Sequence, residues 1–123
     1  MTGKLVEDLF LETPGTGPAL TWYSSPVSLG GDNGVMVELW LTSAGDNFND
    51  VEAFAEGSND GVNFEPTAIV SSGGATAAPA WEKSSGSGVI PWAWVRLRIE
   101  LTDDTTGTAT ALVSAAVRTY RAG

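Results

Sequence analysis

The chain contains no cysteine and no histidine, and only two lysines. Without cysteine there are no disulfides, no thiolate metal ligands and no thiol nucleophile, so stability has to come from packing. Without histidine, Ser-His-Asp and Cys-His arrangements cannot be built, and the commonest general base near neutral pH is missing. A Ser-x-x-Lys signature fails because Ala80 and Met1 stand where serine would be needed before Lys83 and Lys4. The only Gly-Lys pair, Gly3-Lys4, is followed by Leu5, which excludes a phosphate-binding loop. Fifteen acids make chance carboxylate pairs easy, and acids on exposed strand faces and turns need no catalytic explanation. These absences lead to the expectation that the chain is not an enzyme.

Long hydrophobic runs are also lacking. Nothing approaches the roughly 20 apolar residues of a membrane helix, so no membrane partner is expected. Met1-Thr2-Gly3-Lys4 is followed by Leu5-Val6-Glu7-Asp8, placing acids where an export signal needs an apolar stretch. Synthesis in the cytoplasm is therefore expected. Positive charge is scarce: residues 1–65 carry eleven acids against Lys4, and residues 66–123 carry four acids against five bases, within a total of −9. A dense basic surface is thus missing, which argues against nucleic acid as a partner. Acidity keeps a protein soluble; it also allows the acidic half of one copy to meet the basic strands of another.

What is present is a globular composition, 42% hydrophobic with 17% charged residues over 123 positions. One domain, residues 1–123, is the expectation, able to bury about two-thirds of its unfolded surface. Period-two alternation dominates. Val35, Val37, Leu39 and Leu41 share one side of a segment whose other side shows Met36, Glu38, Trp40 and Thr42. The same pattern runs through Val51, Ala53 and Ala55, through Val95, Leu97, Ile99 and Leu101, and from Ala109 to Val117. Clusters of Gly, Asn and Asp around residues 30–34, 43–47, 59–61 and 103–107 turn the chain between these runs. Further strands are expected at residues 5–12, 19–24, 62–70 and 87–90. The fold class that follows is all-β: a two-sheet antiparallel β-sandwich, jelly-roll-like, of about eight strands. Residues 71–88, rich in Gly, Ser and Ala, are expected to form a flexible loop.

Residues 51–64, with Ser58-Asn59-Asp60-Gly61 ahead of Phe64, resemble the strand, turn and aromatic strand of discoidin-like, galactose-binding-type jelly rolls. Trp94-Val95-Arg96-Leu97-Arg98-Ile99 is similar to the strand that follows in such domains, and Asn59-Asp60-Gly61 is expected to make a tight hairpin with the aromatic packed beneath it. The pattern also resembles small structural proteins of tailed phages. That resemblance implies a virion location, in a capsid decoration or tail-associated protein assembling in many copies, with other structural proteins and copies of itself as partners. A carbohydrate-binding module using exposed tryptophans is the other reading, with a glycan as partner.

Candidate binding residues are Trp40 and Trp94, each opposite the apolar row of its strand, with Arg96 and Arg98 beside Trp94. If those sides face solvent they form a platform for a sugar ring or a protein neighbour; otherwise they belong to a second small core. Trp81, within the low-complexity stretch, either folds back as a lid or meets a partner. No cofactor is required. Asp46, Asn49 and Asp50 offer the hard oxygen ligands that calcium prefers, although turn chemistry accounts for them without an ion.

Overall fold

The structure, a computed structural model, describes residues 2–88 and 90–122. Among these residues there is no helix; nine strands form two antiparallel sheets. The first sheet contains β1 (Gly3–Glu12), β9 (Thr110–Tyr120), β4 (Gly34–Ala44) and β7 (Ala80–Ser87), in that spatial order. The second runs β2 (Leu20–Tyr23), β8 (Trp94–Asp103), β5 (Phe48–Ser58) and β6 (Val70–Ser71), with the short β3 (Val27–Ser28) also paired to β8.

Alternation dictates this arrangement. Val35, Val37, Leu39 and Leu41 on β4 meet Val51, Ala53 and Ala55 on β5, together with Val95, Leu97, Ile99 and Leu101 on β8 and Val113, Ala115 and Val117 on β9. All are essentially inaccessible to water. Each buried Val, Leu or Ile contributes about 1.5–3 kcal/mol of transfer free energy, so the facing rows hold the two sheets together. The intervening residues necessarily point outward, giving each sheet an outer face.

Four expectations need correction. Residues 71–88 are not a continuous loop: Ala80–Ser87 form β7, paired with β4 along its full length from Leu41↔Ala80 to Gly34↔Ser87. The strand expected at 87–90 is this strand displaced toward the N-terminus, and Val89 lies outside the described residues. The strand expected at 62–70 is reduced to β6, because Asp60 fixes the preceding segment as a turn. Its Oδ1 accepts the backbone N–H groups of Val62 and Asn63, both at 2.8 Å, and the Ser58 hydroxyl at 2.9 Å. Hydrogen bonds from those backbone groups hold the Asp60 carboxyl well below the usual range. Asn59-Asp60-Gly61 therefore closes no tight hairpin, since β5 and β6 pair antiparallel only across the long connection of residues 59–69; Gly61, at φ 76°, lets the chain pass over the Trp94 ring and on across the outer face of the second sheet.

Candidate functional site

The outer face of the second sheet is closed by its own side chains. Glu56, whose side chain is only 3% exposed, accepts Arg96 Nη2 at 2.8 Å and Arg98 Nη1 at 2.7 Å. The Arg96 guanidinium carbon lies 4.0 Å from the Tyr23 ring centroid and 4.1 Å from that of Phe64; that of Arg98 lies 4.2 Å from Phe54. Arg98 also donates to the carbonyl of Pro66 at 3.1 Å, tying down the loop that carries Phe64. Half-buried Trp94 packs beneath Gly61. Trp94, Arg96 and Arg98 are thus brought together, but their charges and ring faces are engaged within the chain.

The outer face of the first sheet is different. Trp40 on β4 and Trp81 on β7 are direct cross-strand partners, with ring centroids 6.4 Å apart and planes only 6° from parallel. Trp81 remains 53% exposed and carries Lys83 Nζ 4.7 Å from its ring centroid. Phe10 and Leu5 on β1 are exposed to 63% and 51%. Polar groups at the far end are paired: Arg118 bonds the buried carboxylate of Glu38.

Between β1 and Trp40 the face sinks into a cleft of about 290 Å³, lined by Leu5, Glu7, Asp8, Trp40 and Ser114. Its origin is local. The β1–β9 register slips between Val6 and Leu9, and Asp8 sits in the left-handed region at φ 51°. Such a bulge bends an edge strand and re-aims its side chains. The Asp8 N–H donates to Ser114 Oγ at 3.1 Å, fixing the bulge to β9. A second depression of about 470 Å³ lies on the other side of Trp40, against Trp81 and Pro79.

Of the sequence-derived candidates, Trp40 and Trp81 therefore share one face, while Trp94, Arg96 and Arg98 occupy the opposite one. Sequence reasoning missed Glu7, Asp8, Ser114, Leu5 and Phe10. A signal for the bulge was available: Val6 and Leu9 both pack against the core although three positions separate them, so the inward parity of β1 changes between them. Two of the calcium candidates are engaged locally. Asn49 donates to Thr102 Oγ1 at 3.3 Å and the Asp50 carboxylate lies against Gly74. The described residues contain no group of three or more His, Cys, Asp or Glu side chains placed to hold a metal.

No protein-family model matches the chain, and no curated protein is similar to it in sequence. Among solved structures, the crystal structure of the enzymatically active domain of tailspike protein 4 of bacteriophage CBA120 is similar, with a TM-score of 0.52 and 12% identity. The fold is shared with a phage tailspike protein. The match covers 91% of this chain and 17% of the other, so the chain spans less than a fifth of the length of that structure. This finding overturns the expectation that the chain is not an enzyme. The structure of which it matches a part is described as an enzymatically active domain, and the lack of His and Cys removes only mechanisms that need them.

Proposed function

We propose that this chain is a β-sandwich module of a bacteriophage virion, tail-associated and carried in many copies, which makes adhesive contact through the outer face of its first sheet. The observation that carries the reading is the inequality of the two faces. One keeps Phe10, Leu5 and Trp81 in water beside a half-buried Trp40; the other leaves Tyr23 and Val62 exposed but has its charges and its remaining rings taken up by its own ion pairs and loop. Large apolar side chains grouped on one surface mark a contact surface in a soluble protein. The fold shared with a tailspike protein supports the tail in preference to the capsid. Within the β-sandwiches, the galactose-binding-type jelly roll is the architecture we assign, on the motif resemblance of residues 94–99, which do form a strand.

Gold-labelled antibody against the chain, applied to purified particles in the electron microscope, tests the placement; label at the tail is expected, and label absent from particles or confined to capsids would refute it. Particles carrying Phe10→Ser together with Trp81→Ser are expected to keep the module but attach to host cells more weakly. Unchanged attachment would remove this face from the account.

A further inference from the structure

The geometry points to a binding site for a neutral saccharide in the cleft beside Trp40, with Glu7, Asp8 and Ser114 as polar contacts and Trp40, backed by Trp81, as the stacking wall. This rests on the reading above, that the outer face of the first sheet makes the adhesive contact, and names what it contacts.

The site is a single row laid across all four strands. The bulge of β1 supplies Glu7 and Asp8, β9 supplies Ser114, β4 supplies Trp40 directly opposite Ser114, and β7 supplies Trp81 directly opposite Trp40. Three inter-strand steps make the row about 14 Å long, the length of roughly two to three sugar rings. Depth comes from a small residue: β9 contributes only Ser114 to the lining between β1 and the Trp40 indole.

Each group then has a task suited to a pyranose. An indole offers a flat apolar surface of negative quadrupole to the C–H face of a sugar. Two carboxylates accept hydroxyl protons, and neither Glu7 nor Asp8 has a partner among the described residues. Ser114 Oγ already accepts the Asp8 N–H, leaving its own proton free to donate to a ring or hydroxyl oxygen. The β1 bulge brings these acceptors to the indole, at the cost of holding a non-glycine residue at positive φ.

The same groups argue against other occupants. An anionic polymer would be repelled by the two carboxylates and by a net charge of −9. A flat apolar protein surface would strip water from Glu7 and Asp8 without returning donors, which is costly for ionised groups. A neutral saccharide returns a donor for each acceptor and covers the indole as well.

The test uses the purified full chain on immobilised neutral, anionic and amino-bearing oligosaccharides, followed by titration of the tryptophan fluorescence with any glycan retained. Retention of neutral oligosaccharides is expected, with a fluorescence change on binding. Trp40→Ala should lower affinity about tenfold or more. Because that variant removes a half-buried ring, a Glu7→Gln, Asp8→Asn double variant gives the independent check; asparagine tolerates the left-handed conformation at position 8, so the bulge survives. It should bind about tenfold more weakly with an unchanged circular dichroism spectrum, while Glu65→Gln on the opposite side binds as the unaltered chain does. Retention of no glycan, retention of only anionic or only amino-bearing glycans, or full affinity in the Glu7→Gln, Asp8→Asn variant would overturn the assignment. Tail labelling without glycan binding would sink the saccharide alone; glycan binding by a chain absent from particles would sink only the virion placement.

Discussion

The two sheets bury similar inner faces but present opposite outer ones. On the second sheet every outward cation is neutralised locally: Arg96 and Arg98 converge on Glu56, their planes covered by Tyr23, Phe64 and Phe54. On the first sheet the outward row is apolar and open, and the Glu7 and Asp8 carboxylates that border it have no partner among the described residues. Charges whose partners lie inside the chain stabilise the fold and leave little for a partner to recognise. Unsatisfied acceptors beside exposed rings do the reverse.

Removing the centre of the closed face is the most severe way to break this contrast. Glu56→Ala would leave Arg96 without its anion and Arg98 with only Glu100, whose Oε1 lies 3.4 Å from the Arg98 Nε, and breaking a buried ion pair by deleting one partner costs about 3–5 kcal/mol. Arg96 and Arg98 retain 23% and 15% of their exposure, which places the expected loss at the lower end, about 3 kcal/mol. Urea unfolding followed by circular dichroism measures it. A loss under about 1 kcal/mol would mean that this face is held by its aromatic rings alone.

A smaller effect lies on the same sheet, where acids crowd beyond the arginines. Asp50 lies near Glu52 and Glu100, and the latter two are direct cross-strand partners. Burial, and then the Glu52 charge, push the Asp50 carboxyl above its ordinary value of 3.8. Its Oδ1 is buried without a hydrogen-bond partner. The folded state accordingly holds this proton more tightly than the unfolded one. Stability contributed by the protonated carboxyl is present below pH 3.8, is lost as pH rises through the raised value, and stays absent at neutral pH. Asp50→Asn removes that penalty. It should raise stability at pH 7 by about 1 kcal/mol or less, since solvent screens much of the repulsion, with no gain at pH 3. Unfolding curves at the two pH values decide it; an equal gain at both would trace the effect to shape instead of charge.

The same contrast explains what could be read from residues in order. The core strands were legible because both of their neighbours are strands and their inner rows are fully buried, which forces strict alternation at Val35 to Leu41 and Val95 to Leu101. β7 was not. As an edge strand it is half covered, so Ser84, Ser85, Gly86 and Ser87 suffice, and its pairing with β4 comes from backbone groups that no side chain announces. Residues 62–70 misled in the opposite sense: Val62 and Phe64 alternate like a strand, yet Val62 is 76% exposed and Asp60 holds its N–H in a turn. Trp40 and Trp81 were each identifiable as candidates, but their pairing across 41 positions depends on the strand order. Trp94, Arg96 and Arg98 were equally visible, but their partners, Glu56 and Phe54 on β5, Tyr23 on β2 and the loop bearing Phe64, are set by the strand order.

The smallest expected effect is the most discriminating. If the open face is kept apolar for contact and not for folding, removing its most exposed ring should cost the fold little. Phe10 is 63% exposed and its cross-strand partner is Leu112, so Phe10→Ser forfeits one cross-strand pair, worth about 0.2–1 kcal/mol. The expected loss is about 0.5 kcal/mol by urea unfolding, roughly one-sixth of that for Glu56→Ala. Both substitutions remove one outward-facing side chain, so the ratio measures directly how unequally the two faces serve the fold. A loss at Phe10 approaching that at Glu56 would show that the apolar row is a structural element, and the case for a contact surface on the first sheet would fall with it.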